Sequence, residues 1–337
     1  MPGGPDSEVY PNANRVNIGS GANFRGKQVP RISIIIPAYN RADVLPRAIN
    51  SVLSQTFTDY EIIVVDDAST DDTGSVALNA NGPVHVIRHE VNRGPAAARN
   101  TGIKATSGGY VAFLDSDDEW MPEKLARQIG LLEGLGTPYN ACCSGRILVH
   151  PGLGYSWERH LPTEEQWTRY LLINGCDLSP GSTLVARRRV FEHTGLFDEN
   201  LPRYEDWDWL LRYVADYDLA IVPEPQAIIH LSPPPPSDKV RASIPRFLDR
   251  WQGQVRQLGP TRHRRLRARL CFELAKAFFQ EGSKIRGILS VARGLWNWPL
   301  QRPRTVVVFF DALFKTHLAL RGSRLAGAQR IRIRQSR

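Results

Sequence analysis

Aspartate side chains occur in two short groups that could bind a metal ion and the phosphates of a nucleotide. The groups are Asp66-Asp67 and Asp115-Ser116-Asp117-Asp118. Carboxylate oxygens are hard ligands that suit Mg²⁺ or Mn²⁺, and such an ion can in turn chelate a diphosphate. A single aspartate in such a place is more often a helix cap than a ligand. Five carboxylates at one edge would repel one another strongly without a cation, so the grouping favours a metal site.

Short apolar runs lead into these groups and predict the strands that position them. The runs cover residues 32–36, 62–65, 84–87 and 110–114. Helical spacing follows the first run, where Asp43 can cap the helix, and recurs over residues 94–105. This alternation predicts an α/β fold with an open parallel sheet. Ligands of such sheets bind past the carboxyl ends of the strands, where Pro37-Ala38-Tyr39-Asn40 and both aspartate groups then lie.

Two common nucleotide-binding folds are excluded by the first of these strand ends. A dinucleotide-binding domain requires G-x-G-x-x-G after its first strand, and a P-loop requires G-x-x-x-x-G-K-[ST]. Neither pattern occurs in the chain. Without a glycine cradle the phosphates need another counter-charge, and a divalent cation on Asp115-Ser116-Asp117 would supply it.

Several further segments, in order along residues 31–235, give the chain a clear resemblance to the family 2 inverting glycosyltransferases. The matching segments are Ile34-Ile35-Ile36-Pro37-Ala38-Tyr39-Asn40, Ser54-Gln55-Thr56-Phe57, Val64-Val65-Asp66-Asp67-Ala68-Ser69-Thr70-Asp71, Asn92-Arg93-Gly94, Ala98-Arg99-Asn100-Thr101-Gly102, Phe113-Leu114-Asp115-Ser116-Asp117-Asp118, Gly195-Leu196-Phe197-Asp198-Glu199 and Tyr204-Glu205-Asp206-Trp207-Asp208. The resemblance implies a GT-A fold, which is a Rossmann-like, mostly parallel open sheet flanked by helices.

The resemblance also implies roles for the residues at the donor side. The implied donor-binding set is Pro37, Ala38, Tyr39, Asn40, Asp67, Arg99, Asp115, Ser116 and Asp117. In this set Asp67 accepts a hydrogen bond from the base, with uracil as the expected base, and Asp115 lies near the ribose. Asp117, with Asp115, holds Mn²⁺ or Mg²⁺ on the diphosphate. Arg99 supports the nucleotide or its phosphates. Ala68 departs from the family, which usually has glycine there.

Asp206 is the implied general base. Inverting transfer is one displacement at the anomeric carbon, and the acceptor hydroxyl needs a carboxylate within ~2.6–3.2 Å to take its proton. A nearby cation would lower the pKa of the base and weaken it. Asp117 and Asp206 come from distant parts of the chain, which is consistent with a base that is separate from the metal. Trp207 is a weaker expectation for an acceptor contact, and Glu205 is expected to be structural or positioning. The resemblance gives His230 a role near the metal or the diphosphate as one alternative. A local hydrogen bond is the more common role of such a histidine.

Composition describes a globular protein with two unlike regions. The chain has 337 residues, of which 42% are hydrophobic and 23% charged. Its four cysteines have no metal-ligand spacing and are typical of a reduced, cytoplasmic protein. We see no signal peptide and no apolar run of ~18 residues that would predict a membrane span. Residues 238–337 hold 23 Lys and Arg against 5 Asp and Glu, whereas the rest of the chain holds 20 against 29.

These patterns predict three parts: a disordered leader at residues 1–30, a catalytic domain at 31–236 that ends in Pro233–Pro236, and a basic, mainly helical extension at 237–337. The extension has three interpretations. It binds an anionic membrane surface, which would make the protein peripheral to the membrane, or it packs on the acidic catalytic domain, or it binds nucleic acid. No nucleic-acid reader motif is present, and the membrane surface is the favoured partner.

The sequence therefore predicts a metal-dependent transferase that moves one sugar from a nucleotide diphosphate donor, with UDP expected, to a hydroxyl of a glycan or lipid-linked saccharide. Transfer of a single sugar is favoured because the processive Q-x-x-R-W motif is incomplete in Phe247-Leu248-Asp249-Arg250-Trp251. Two alternatives stay open. A sugar-phosphate nucleotidyltransferase shares this kind of sheet but has a Gly-rich, basic first loop. A non-catalytic nucleotide-sugar-binding scaffold would bind donor without turnover.

Overall fold

A computed structural model describes residues 29–135, 140–150, 155–161 and 166–298. The predicted leader at residues 1–28 and the apolar, basic end at 299–337 lie outside the described residues. The described strands are β1 (Ile32–Ala38), β2 (Tyr60–Asp66), β3 (Val84–Arg88), β4 (Tyr110–Phe113), β5 (Glu119–Trp120), β6 (Ala141–His150), β7 (Tyr155–Arg159), β8 (Val185–Arg187) and β9 (Leu219–His230).

Helices lie between and after these strands. The described helices are α1 (Leu45–Leu53), α2 (Thr73–Leu78), α3 (Pro95–Ala105), α4 (Lys124–Gly134), α5 (Trp167–Asn174), α6 (Pro180–Thr183), α7 (Val190–Thr194), α8 (Glu205–Asp216), α9 (Ser237–Arg250), α10 (Gln252–Gln257), α11 (Gly259–Gln280) and α12 (Lys284–Asn297). None of the described helices is both long and apolar enough to cross a membrane.

The described strands form one mixed sheet in the order β3-β2-β1-β4-β8-β6-β9-β5, with β7 paired to β6. The first half is parallel: β1 pairs with β2 and β4, and β2 pairs with β3. This half confirms the strands that the apolar runs predict. In the second half, β8 pairs antiparallel with both β4 and β6, whereas β6 and β9 are parallel. The architecture is an α/β sheet flanked by helices, as expected for GT-A.

Alternating side chains of the central strands fill two cores, one on each face of the sheet. In β1, Ile34 and Ile36 pack with α1 and α4, while Ile35 packs on the opposite face with Ile103 of α3 and with α8. All of β1 is buried. This pattern is the one expected for a parallel strand that is covered by helices on both faces.

Helices α9 to α11 belong to the second of these cores. Phe247 of α9 and Leu266 of α11 are fully buried in the same cluster as Trp207 of α8. Arg250 of α9 forms ion pairs with Asp198 and Asp208 of the acidic body, at 2.5 and 2.9 Å. The described part of the basic extension is therefore helical and packs on the catalytic domain.

One local prediction is wrong. Asp43 does not cap α1, because the helix begins after Val44 and no side chain caps its first turn. The amides ahead of the helix are satisfied from the next loop: Thr73 accepts from the Arg41 N–H at 2.7 Å, and Asp71 accepts from the Ala42 N–H at 3.1 Å. These long-range hydrogen bonds join the loops that follow β1 and β2.

Candidate active site

The loop after β1 forms one wall of the rim. Pro37 and Ala38 are buried at the end of the strand, whereas the Tyr39 ring is 43% exposed. Asn40 has a φ of 51°, and its side-chain oxygen accepts from the Thr70 N–H at 2.8 Å. A rigid loop with one exposed aromatic ring suits the predicted nucleobase wall.

Asp67 lies at the base of this wall with its carboxylate largely occupied. Its Oδ1 contacts His89 Nδ1 at 2.7 Å and accepts from the Arg93 N–H at 2.9 Å, and its Oδ2 accepts from the Gly94 N–H at 2.7 Å. The side chain is buried. A carboxylate has about four acceptor positions, so one on Oδ2 is still available to a ligand. Asp67 thus both anchors the start of α3 and keeps one position for the predicted base.

Ala68 stands next to Asp67 in a backbone conformation that favours glycine. Its φ is 62°. The left-handed region costs a residue with a Cβ about 1–2 kcal/mol. The left-handed backbone at this position is therefore a reason for the family's usual glycine.

Asp115 and Asp117 follow β4, and each keeps one carboxylate oxygen for a ligand. Asp115 Oδ1 accepts from Arg99 at 2.7 Å, and Asp117 Oδ2 accepts from the Ser232 hydroxyl at 2.7 Å. Asp115 Oδ2 and Asp117 Oδ1 receive no hydrogen bond from the described residues. Ser116, between them, is buried.

This arrangement fits a divalent cation that is shared with a diphosphate. In the described part of the chain, no three His, Cys, Asp or Glu side chains converge as a complete metal site. Mg²⁺ in nucleotide sites uses one or two carboxylates and takes its other ligands from phosphates and water. The free oxygens of Asp115 and Asp117 would supply these two carboxylate ligands.

Asp118 and Ser182 form a buried support beneath the two ligands. The Ser182 hydroxyl donates to Asp118 at 2.5 Å and accepts from the Asp115 N–H at 3.1 Å. Burial, together with the nearby carboxylates of Asp115 and Asp117, raises the pKa of Asp118 well above its usual range. The resemblance places Ser182 in a segment that faces the donor sugar, with a turn cap as the alternative. The structure shows its hydroxyl in this hydrogen-bond network.

His230 lies beside this rim and contacts Glu119 and Asp118. Its ring Nε2 lies 2.7 Å from Glu119, and its N–H donates to Asp118 at 2.9 Å. Arg47 also reaches Glu119, at 3.3 Å. The structure thus places His230 in the local hydrogen bond that is the more common role of such a histidine.

Arg99 connects the donor rim to the start of α8. The side chain is buried, and it donates to Asp115 at 2.7 Å and to Glu205 at 2.9 Å. Burial opposes the charge, but Asp115, Glu205 and then Asp206 outweigh it and raise the pKa of Arg99. Its charge is therefore committed to protein carboxylates, so it supports the donor site through Asp115.

Asp206 occupies the first turn of α8, beside this ion pair. It is partly exposed, and its Oδ1 accepts from the Trp207 N–H at 2.7 Å. Its Oδ2 receives no hydrogen bond from the described residues. Trp207 is buried between Tyr204 and Phe247, with its ring 4.4 Å from the Phe247 ring. The expected stacking of an acceptor sugar on Trp207 is wrong because no ring face is accessible.

A glycine that the sequence does not single out makes room for Asp115. A Cβ added to Gly181 would lie 2.4 Å from Asp115 Oδ2. Real Cβ atoms essentially never approach an atom so closely, so a side chain here would displace the carboxylate. Gly181 belongs to α6, the same short helix that carries Ser182.

Known proteins share both the sequence of this region and the fold. Residues 33–193 match the family described as glycosyl transferase family 2. An uncharacterized glycosyltransferase of Haemophilus influenzae is 33% identical over 189 residues, which cover 55% of this chain and 62% of that protein. A glycosyltransferase of Escherichia coli named UDP-Glc:alpha-D-GlcNAc-diphosphoundecaprenol beta-1,3-glucosyltransferase WfgD is 41% identical over 102 residues, which cover 30% of this chain and 40% of that protein. The chain thus spans less than two thirds of the length of these relatives.

Among solved structures, residues 1–349 of S. aureus TarS in complex with UDP superimpose with a TM-score of 0.51. The sequences are 19% identical, and the match covers 80% of this chain and 89% of that one. At this identity the superposition supports the fold alone, and it shows the GT-A fold. The matched segment identifies residues 33–193 as a glycosyl transferase family 2 domain.

Proposed function

We propose that this protein is an inverting, metal-dependent glycosyltransferase that moves one sugar from a UDP-sugar to a hydroxyl of a glycan or lipid-linked saccharide. The observation that carries the proposal is the position of Arg99 between Asp115 and Glu205. It brings a carboxylate rim suited to a diphosphate next to Asp206, which has an open carboxylate oxygen suited to an acceptor. The two halves of a single-displacement site are therefore adjacent.

Two known proteins support the choice of donor and acceptor. TarS structures of this fold are described with UDP and with UDP-GlcNAc. The E. coli relative carries in its name a UDP-sugar donor and a diphosphate-linked lipid acceptor. The exposed Tyr39 ring and the remaining acceptor position on Asp67 are compatible with a uracil base. We therefore assign a UDP-sugar and an acceptor of this general class.

In the proposed reaction each of four residues has a defined role. Asp206 takes the proton of the acceptor hydroxyl as that oxygen attacks the anomeric carbon. Asp115 and Asp117 would hold Mn²⁺ or Mg²⁺, which would offset the charge of the departing diphosphate. Arg99 keeps Asp115 in place and separates Asp206 from the ligand side. Because the attack is a single displacement, the product has the inverted anomeric configuration.

Donor binding is tested with the protein as it stands. A thermal-shift screen of nucleotide sugars with Mn²⁺ should find one UDP-sugar that raises the midpoint, since a ligand that binds only the folded state stabilises it by mass action. Asp117→Ala should abolish the Mn²⁺-dependent shift. Asp216→Ala removes an exposed carboxylate at the end of α8 that lies opposite Asp206, and it should leave the shift unchanged. Absence of any shift in the unmodified protein across UDP-, GDP- and dTDP-sugars would contradict the proposal.

We also propose that helix α12 rests on an anionic lipid surface. Four of its apolar side chains are exposed, and the sequence spacing places them along one side of the helix. They are Ile285, Ile288, Leu289 and Trp296, the last 86% exposed. Lys284, Arg286 and Arg293 are exposed too, and α12 contains no acidic residue. The opposite side packs on α11 through Gly287 and Gly294. Anionic lipid attracts such residues by ~1 kcal/mol per Lys or Arg near the surface.

Vesicle sedimentation tests this partner. The protein should bind vesicles of phosphatidylcholine with phosphatidylglycerol, bind pure phosphatidylcholine less, and release as salt rises. Trp296→Ser with Ile285→Ser should weaken binding severalfold. Leu78→Ser changes an equally exposed apolar residue on α2 and should have no effect. Equal sedimentation of the α12 variant and the unmodified protein would rule the helix out as the membrane contact.

A further inference from the structure

A buried arginine on β6 has two guanidinium nitrogens without a hydrogen bond to the described residues. Arg146 is 4% exposed, and its Nε and Nη1 are buried without a hydrogen bond. It forms no ion pair with any described residue. Burial lowers the pKa of Arg146, with Asp177 opposing that effect. A buried guanidinium without hydrogen bonds is costly, so natural proteins rarely keep one without a compensating ligand or partner.

A second arginine lies directly opposite on the neighbouring strand. Arg146 and Arg159 are register partners in the antiparallel pair of β6 and β7, so their side chains share one face. Arg159 is exposed and also has no ion pair or hydrogen bond with the described residues. Like charges directly opposite each other destabilise a sheet. An anion between the two guanidinium groups would remove both the repulsion and the unmet hydrogen-bonding capacity.

The backbone ahead of Arg146 is built to change the direction of its side chain. The register of β6 with β9 shifts on both sides of Gly145. A Cβ on Gly145 would lie 2.3 Å from the Pro223 carbonyl oxygen, so only glycine fits this close approach. Bulges of this kind re-aim the side chains that follow them and are common beside active sites.

Arg146 and Asp206 lie on two sides of one loop. Cys176 and Asp177, which follow α5, are within electrostatic range of Arg146, and Cys176 is within the same range of Asp206. Asp177 is held by the Tyr170 hydroxyl at 3.2 Å. The Arg146 guanidinium therefore lies near the same loop as the proposed base, Asp206.

We propose that Arg146, assisted by Arg159, forms an anion subsite that binds the phosphate of a phosphate-linked saccharide acceptor. The inference rests on the proposed function, because it identifies the acceptor class of that same site. In a sugar diphosphate the phosphate is attached to C1, so it lies about one sugar ring away from a ring hydroxyl that is glycosylated. A base and a phosphate-binding arginine separated by one short loop match this arrangement. Arg also suits phosphate because its planar donors can bind two oxygens together.

The test compares two soluble probes that share a sugar. The octyl diphosphate of α-N-acetylglucosamine carries the anionic group, and octyl α-N-acetylglucosaminide lacks it. Binding of each is measured by calorimetry on full-length protein that is already saturated with UDP, so the donor site is occupied. The unmodified protein should bind the diphosphate probe about tenfold or more tightly than the neutral probe, as expected for charge-assisted hydrogen bonds. Octyl diphosphate without sugar separates recognition of phosphate from recognition of the ring and should retain part of the preference.

Variants identify the group responsible. Arg146→Gln should remove the preference, Arg159→Gln should reduce it, and Arg169→Gln should leave it unchanged. Arg169 is a suitable control because it is exposed on α5, and among the described residues its side chain forms a hydrogen bond only with Gln166. UDP affinity should be the same in all variants. A preference that survives in Arg146→Gln, or equal affinities for both probes in the unmodified protein, would overturn the subsite.

Two further readouts separate this inference from other outcomes. Removal of an unpaired buried charge should not destabilise the fold, so Arg146→Gln and Arg146→Met should unfold at or above the midpoint of the unmodified protein. Loss of folding in both variants would show that Arg146 is structural and would refute the subsite. Failure of the unmodified protein to bind UDP would instead contradict the proposed function.

Discussion

The guanidinium of Arg99 and the carboxylate of Glu205 form a buried ion pair, with Nη1 2.9 Å from Oε1. The two residues are 106 positions apart in the sequence. The pair connects α3, at the donor side, to the first turn of α8, where Asp206 stands. Because Arg99 also holds Asp115, one side chain fixes the distance between the two halves of the proposed reaction.

Replacement of Arg99 should therefore affect both stability and activity. Arg99 donates from one nitrogen to Asp115 and from another to Glu205. The single ammonium of a lysine cannot span both carboxylates in this way, so Arg99→Lys leaves one of them poorly paired. Loss of a partner in a buried ion pair costs about 3–5 kcal/mol, and we expect a loss near the lower end because the lysine keeps the charge. Chemical denaturation measures this difference.

The exposed pair of Arg93 and Glu199 provides the control for that experiment. Its atoms are 3.0 Å apart, and both side chains are more than a third exposed. Exposed ion pairs contribute about 0–1 kcal/mol, so Arg93→Lys should change the free energy of unfolding by less than about 1 kcal/mol. Equal losses of unfolding free energy for Arg99→Lys and Arg93→Lys would show that the buried ion pair stabilises the fold no more than the exposed one.

Gly181 should tolerate no side chain. An alanine there would place its Cβ against Asp115 Oδ2, so Gly181→Ala should move the carboxylate away from the cation site. We expect turnover and Mn²⁺-dependent UDP affinity to fall tenfold or more, since displacement of a positioning group by about 1 Å can cost 10²-fold.

Gly130 of α4 is the matched control for this substitution. Nothing lies within 4 Å of a Cβ built on Gly130, and the residue is exposed in a helix. Gly130→Ala should stabilise the protein by about 0.5–1 kcal/mol and leave turnover unchanged. If Gly181→Ala retains full activity, the close approach of Gly181 does not set the position of Asp115.

Lys124 should make the stability of the protein depend on pH. The side chain is fully buried, donates to Gln128 at 2.6 Å, and lies 4.2 Å from the centre of the Trp120 ring. Burial lowers the pKa of Lys124 to about 7. Between that value and the ordinary lysine pKa the unfolded chain binds one more proton than the folded chain, so stability rises with pH through this window.

The slope from one such group is about 1.4 kcal/mol per pH unit. Cys142 and Cys143, which face the ammonium, have pKa values raised by burial to about 11 and about 12 and stay neutral over pH 7–9. Lys124→Met should remove the slope and should stabilise the protein more at pH 7 than at pH 9. Denaturation at several pH values measures both, and an unchanged slope in the variant would assign the pH dependence to other groups.

The parallel half of the fold and its acidic rim could be predicted from the sequence because their signals are local. The run 32–36 has the β-branched residues of a buried strand, and Asp66 and Asp115 come at strand ends that must share one edge. The antiparallel half could not be predicted in this way. The long strand β9, which contains Pro223 and Pro225, obtains its register from β6 and from a bulge at Gly145, and both are tertiary features.

The same division holds for individual residues. The place of Asp117 after β4 could be predicted from the apolar run before it, but the commitment of Arg99 to two carboxylates depends on a contact with α8 that no local pattern encodes. Burial of Trp207 likewise follows from Phe247 of α9, forty residues later in the chain. The cap expected at Asp43 fails because α1 begins after Val44 and the Leu45 N–H donates to the Arg41 carbonyl oxygen at 2.9 Å.

Activity of Asp206→Asn tests the central claim most directly. The amide keeps the size of the side chain but cannot take a proton, and general-base catalysis contributes about 10²–10⁴-fold. We expect the variant to bind the UDP-sugar with Mn²⁺ as tightly as the unmodified protein and to lose turnover by that factor. Normal turnover in Asp206→Asn would contradict the assignment of Asp206 as the base.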